Sequence, residues 1–116
     1  MENDSQPKAS AHPLYMLLHG EDVDAFNNQR EANDDFSVLK GLDFRGLDLR
    51  GADLHGFDLS DAYFRQTDLR GIDLRTCNLE GASLRSAKIS GTYFPVELSP
   101  EEILMSLNHG TRLRYR

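Results

Sequence analysis

The sequence predicts a mainly β fold, a short β-helical solenoid closed at each end by a helical cap. Three observations predict it. From Gly41 to Pro95 the chain reads as eleven consecutive five-residue units. The fourth residue of every unit is large and apolar. Helix-start and helix-stop residues flank the block on both sides.

The units run GLDFR, GLDLR, GADLH, GFDLS, DAYFR, QTDLR, GIDLR, TCNLE, GASLR, SAKIS and GTYFP. A weaker unit, Ser37-Val38-Leu39-Lys40, precedes them without its first residue. The fourth column is the predicted core: Phe44, Leu49, Leu54, Leu59, Phe64, Leu69, Leu74, Leu79, Leu84, Ile89 and Phe94. The second column is mostly small, with Leu42, Leu47, Phe57 and Ile72 larger. Asp dominates the third column, Arg the fifth, and Gly fills the first in seven of eleven units.

Two inward residues, two apart, fit a short extended segment with alternate side chains on one face. A period of five then needs a corner in each unit, and Gly supplies it by accepting positive φ. An α-helix is excluded, because residues five apart lie about 140° apart around its axis. A flat sheet is excluded, because an odd period alternates faces. What remains is a coil that turns at each unit and stacks on itself.

Ala52-Asp53-Leu54-His55-Gly56 and its neighbours resemble the A-(D/N)-L-x-x pattern of pentapeptide-repeat proteins. The resemblance spans residues 37–96, roughly half the chain. It implies a right-handed quadrilateral β-helix with four units per square coil, hence about three coils from the eleven units. Phe57 departs from the small second-column preference and is expected to bulge one corner.

The ends follow from local signals. An open coil leaves unpaired backbone and core at each end, so caps are expected. Residues 1–12 are predicted to be a disordered tail. Residues 13–36 form an N-terminal cap: a short helix from Pro13 to His19 stopped by Gly20, then a second capped by Asp22 and running to about Ala32. In residues 97–116, Ser99, Pro100 and Glu102 read as a capping box with proline at the first helical position. Ile103, Leu104 and Leu107 form an apolar stripe and Gly110 ends the helix. Thr111 to Arg116 alternate polar and apolar, as a short strand or a basic tail.

The 116 residues suit one small domain. No run approaches the ~20 apolar residues of a membrane span. Leu14–Leu18 is too short for a signal-peptide core. A cytoplasmic protein that does not engage membrane is the expectation. The single Cys77 excludes an internal disulfide. All of the net charge of −6 falls in residues 1–36, while residues 37–96 hold eight acids and eight bases. No basic stripe for direct nucleic-acid binding is evident.

No enzyme chemistry is legible, and no cofactor is expected. His12, His19, His55 and His109 lack partners at metal-ligand spacing. Cys77 falls in the inward second column and reads as a buried, inert thiol. No phosphate loop or nucleophile elbow occurs. The outward columns carry more. With twenty residues per coil, Arg45, Arg65 and Arg85 stack on one face, about 4.8 Å apart. Arg50 and Arg70 stack on the next beside Asp48, Asp68 and Lys88, and Asp58, Asp61 and Glu80 oppose Lys40.

Two readings stand: a solvated surface of Asp–Arg pairs, or an Arg-rich docking face for an acidic protein partner with Tyr63 and Tyr93 as aromatic anchors. The functional expectation is a non-catalytic protein-binding module or scaffold. The resemblance adds two alternatives, a DNA-mimicking modulator of bacterial DNA gyrase or topoisomerase and a secreted effector. DNA mimicry needs a long negative rod, because duplex DNA carries a charge every ~1.7 Å. This rod is neutral and about 14 Å long at ~4.8 Å per coil. Ile103, Leu104, Met105 and Leu107 offer more apolar surface than one cap needs, and the resemblance suggests a homodimer through this helix.

Overall fold

The computed structural model describes residues 8–116. Helices α1 (Pro13–His19) and α2 (Val23–Gln29) and a 3-10 turn (Arg30–Ala32) come first, and α3 (Pro100–His109) comes last. Between them the chain winds in coils of twenty residues. Isolated parallel bridges join Asp43 to Tyr63 and Tyr63 to Ser83 on one side, which we call face A. Face B carries Asp48–Asp68 and Asp68–Lys88; face C carries Asp73–Tyr93; face D carries Asp58–Asn78. Each pairing is a single bridge, and no continuous strand or sheet forms among the described residues. The expected β-helix is therefore not confirmed as a sheet fold: the described residues form a stack of single parallel bridges, each side of a coil being too short to carry a ladder before the next corner.

The corners explain the five-residue period. In every unit the second-column N–H donates back across the corner to the preceding fourth-column carbonyl, as in Leu47 to Phe44 (3.2 Å) and Ala52 to Leu49 (3.0 Å). The first-column residue is the third of this four-residue turn, where the type II turn needs positive φ. Gly41, Gly46, Gly51, Gly56, Gly71, Gly81 and Gly91 supply it, with φ between 71° and 85°. Asp61, Gln66 and Ser86 adopt the same conformation at φ 59–61° despite their side chains. Thr76 does not, and its corner is built differently: its hydroxyl Oγ1 accepts the Gly56 N–H at 3.0 Å. At other corners that N–H reaches a carbonyl of the next coil, as from Gly46 to Arg65 at 2.9 Å.

The fourth column faces inward as expected from Phe44 to Leu84, nine residues all at or below 1% exposure. Leu39 of the weak preceding unit is equally buried. Ile89 and Phe94 depart from the expectation and are only half-buried. They lie in the last coil, where α3 and the C-terminal tail cover the neighbouring sides. There Ser86 N–H donates to the Leu107 carbonyl, and Leu113 exchanges hydrogen bonds with Gly81 and Ala82. Leu113 is buried and Arg112 pairs antiparallel with Ser83, so the tail is strand-like.

Three of the four large second-column residues have a structural reason. Leu42, Leu47 and Phe57 belong to the first full coil, whose outer side packs against the cap while its inner side stacks on the second coil. Phe57 is fully buried, with the Phe26 and Phe36 rings 5.8 and 5.0 Å away and the Arg30 guanidinium 5.1 Å from its centroid. The expected bulge is instead a plug between coil and cap. Arg30, 8% exposed, donates to the Asp53 carbonyl at 2.7 Å and fixes α2 over face C.

Helices α1 and α3 have the expected ends, while α2 stops at Gln29 and a 3-10 turn carries the chain on to Ala32. His12 Nδ1 accepts the Leu14 N–H and Asp22 accepts that of Ala25. Ser99 Oγ accepts the Glu102 N–H at 3.1 Å, and Gly110 at φ 72° ends α3. The capping box is not reciprocal in the form expected, because the Glu102 carboxylate takes the Arg114 guanidinium at 3.1 Å and so pins the tail to α3. Residues 1–7 of the expected disordered tail lie outside the described residues. Residues 8–12 do not fit that expectation: Lys8 bridges Leu42, its carbonyl accepts the Asp43 N–H at 2.7 Å, and His12 caps α1.

Candidate functional site

The third and fifth columns form one local device. The Asp carboxylate accepts the backbone N–H two residues on, a turn-stabilising bond that short acidic side chains make readily. It occurs at Asp43, Asp48, Asp53, Asp58, Asp68 and Asp73. Where the fifth residue is Arg, its guanidinium folds back onto the same carboxylate in a two-point pair. Arg45 pairs with Asp43, Arg50 with Asp48, Arg70 with Asp68 and Arg75 with Asp73, at 2.7–3.0 Å. On face B, Arg50 also reaches Asp68 of the next coil at 3.3 Å, which links two pairs into a network. The hydrogen bonds from Arg70 hold the Asp68 carboxyl down at about 2, and those from Arg75 do the same to Asp73. Apart from the Asp68 carboxylate, which is buried, these pairs stand in water, where each is worth little on its own.

Two arginines escape this pairing. Arg65 follows Tyr63 and Arg85 follows Ser83, so neither has a carboxylate two residues before it. Among the described residues neither has an ion-pair partner. Both lie on face A, one coil apart, and line a groove of about 300 Å³ with Arg45, Tyr63, Ser83, His109 and Gly110. The groove continues past Arg45 and Arg65 toward Asp43, Gly46 and Gln66. Gly110 lets the end of α3 approach closely: a Cβ there would stand 3.1 Å from Arg85 Cδ.

The predicted face thus separates into parts. Arg45, Arg65 and Arg85 share face A, but Arg45 is neutralised in place. Arg50 and Arg70 belong to face B and are both paired, with Asp48 and Asp68. Tyr63 is on face A, yet Arg112 occupies it, with its guanidinium 5.5 Å from the ring centroid and 2.8 Å from the hydroxyl. Tyr93 is elsewhere, exposed on face C under Arg75 at 4.9 Å. Sequence reasoning missed Ser83, His109 and Arg112. The third-column break at Ser83 was the legible signal; the approach of α3 and the tail was not.

The C-terminal apolar set also separates. Ile103 and Leu107 pack on the core, while Leu104 and Met105 are 55% and 47% exposed. Cys77 is buried, its thiol donates to the Leu54 carbonyl at 3.0 Å, and burial pushes it up to about 12. Among the described residues there is no cluster of metal-ligating side chains and no helix long and apolar enough to cross a membrane.

No curated protein and no solved structure matches the chain. Residues 58–94 match the family model for pentapeptide repeats in eight copies. The match begins just after Phe57, beyond the units whose second column is enlarged to meet the cap. With their inward fourth column and twenty-residue stacking, residues 58–94 are pentapeptide repeats.

Proposed function

We propose that this chain is a non-catalytic scaffold, a right-handed quadrilateral β-helix of about three coils that presents face A to a protein partner in the cytosol. The single observation that carries the reading is the pair of arginines, Arg65 and Arg85, that have no ion-pair partner among the described residues and line one groove between coil and cap. Solenoids offer extended preorganised surfaces, and Arg is favoured at interfaces. Elsewhere the repeat neutralises its arginines locally, so face A is where, among the described residues, repeat arginines keep uncompensated charge. We place homodimer contacts, by contrast, at Leu104 and Met105 on the outer side of α3, so that face A stays open in the dimer.

Gyrase mimicry has less support. It needs a continuous negative surface, whereas Asp43, Asp48, Asp68 and Asp73 are each covered by an arginine. The test is crosslinking and affinity capture with wild-type protein and an Arg65→Gln/Arg85→Gln variant as baits. Partners recovered by wild type and lost with the variant support the reading. Identical recoveries from both baits remove face A from it.

A further inference from the structure

The scaffold reading leaves open what face A recognises, and this inference rests on it. We infer that the groove between Arg65 and Arg85 is a phosphate subsite, and that the partner segment it takes is a phosphorylated peptide.

The charge balance comes first. Arg45 enters the groove already paired with Asp43, at 2.9 Å, and contributes no net charge. Arg65 and Arg85 contribute one positive charge each and line the same cavity. Consecutive coils bring them together through the backbone: Gly46 N–H donates to the Arg65 carbonyl and Gln66 N–H to the Arg85 carbonyl, both at 2.9 Å. A phosphorylated side chain brings a charge of about −1.5 to −2 on three acceptor oxygens at one point. That matches two guanidiniums in both charge and number of acceptors.

Spacing favours one phosphate over two carboxylates. The coils rise by the inter-strand distance of about 4.8 Å. Two carboxylates on the same face of an extended peptide stand about 6.8 Å apart. One phosphate lets both guanidiniums converge on it, with two-point hydrogen bonds that suit the planar Arg fork. Clusters of this kind are a recurring means of phosphopeptide recognition.

The site is held in advance. The Arg85 stem lies against Gly110, and the Ser83 hydroxyl donates to the Gly110 carbonyl at 3.3 Å. Arg112 bonds the Gly81 carbonyl at 3.1 Å and covers Tyr63, which fixes the tail beside the groove. A groove of about 300 Å³ has room for a phosphate together with the residue that bears it. His109 also lines the groove.

The experiment uses the full chain and three labelled peptides in one glycine-alanine context: one phosphoserine, its unphosphorylated parent, and one with Glu-x-Glu. Fluorescence anisotropy is expected to show binding of the phosphopeptide alone or by a wide margin. Charge-assisted bonds of this kind predict that Arg65→Gln or Arg85→Gln weakens it about tenfold or more. Arg75→Gln, on face C, should leave it unchanged. Both groove arginines are exposed, and matching thermal melts would show that the variants stay folded. Wild-type protein that does not bind the phosphopeptide, or binds Glu-x-Glu equally well, overturns the inference. So does binding indifferent to both groove substitutions. Bait capture lost with the double variant while the phosphopeptide stays silent would overturn the phosphate subsite and leave the scaffold standing. Phosphopeptide binding with no partner captured would do the reverse.

Discussion

Replacing single first-column residues by glycine should change stability in opposite directions at neighbouring corners. Gln66 and Ser86 occupy the left-handed region at φ 59°. That conformation costs an L-residue about 1–2 kcal/mol, and glycine escapes it while adding about 0.5–1 kcal/mol of unfolded-chain entropy. Gln66→Gly and Ser86→Gly should therefore each stabilise by roughly 0.5–1 kcal/mol. For a domain of this size that raises Tm by about 2–4 °C. Thr76→Gly is the same chemical change in the same column, but Thr76 carries no such strain. It would lose the hydroxyl that receives the Gly56 N–H and the 2.9 Å contact with His55. The expected outcome is a loss of about 1 kcal/mol, the bond being exposed and partly replaced by water. Gly46→Ala is the converse control. Its Cβ would meet nothing within 4 Å, so only the φ of 73° opposes it, and a loss of about 1–2 kcal/mol should follow. Urea denaturation with unchanged m-values, alongside calorimetry, measures all four. A lower Tm for Gln66→Gly, or a higher one for Thr76→Gly, would refute the division of corners into two turn types.

Acid should destabilise the coil in a defined window. Asp68 and Asp73 titrate at about 2 in the fold and near 3.9 when unfolded. Their contribution is therefore complete above about pH 4 and lost as pH falls toward 2, and a Tm that is flat across that range would contradict it. Cys77, with its thiol at about 12, should resist a disulfide reagent at pH 8 until the chain unfolds. Rapid labelling of native protein would show the inner column to be open. Light scattering at high protein concentration should give a dimer mass for wild type and a monomer mass for Leu104→Lys/Met105→Lys, and a monomeric wild type would refute the α3 contact.

The inward architecture was readable because burial imposes it at every repeat. A fourth-column residue from Phe44 to Leu84 has one place to go once the period is five, and the period shows in the sequence. The caps were readable from local chemistry at Pro13, Asp22, Ser99 and Gly110, which acts within a few residues. What escaped depends on contacts between distant segments. The role of Phe57 is set by Phe26 and Phe36, and the partial exposure of Ile89 and Phe94 is set by which sides α3 leaves uncovered. The Arg face was half legible: stacking of Arg45, Arg65 and Arg85 follows from the twenty-residue turn. Which of them is free depends on whether Asp stands two residues earlier, and the occupation of Tyr63 depends on a tail residue 49 positions away.

The docking of that tail accounts for one part of face A and leaves the other unexplained. Tyr63 replaces Asp so that Arg112 has a ring to cover, and Ser83 replaces it where the chain pairs with Arg112 and meets Gly110. Packing therefore explains why the two carboxylates are missing. It does not explain why the arginines remain. The fifth column tolerates His55, Ser60, Glu80, Ser90 and Pro95 without loss of the coil, so its geometry does not demand Arg. At positions 45, 50, 70 and 75 the guanidinium has a carboxylate to complete; at 65 and 85 it has none among the described residues. Two like charges held one coil apart repel each other weakly in water, and nothing among the described residues offsets that cost. An arrangement that the fold neither needs nor compensates is best accounted for by an anion supplied from outside.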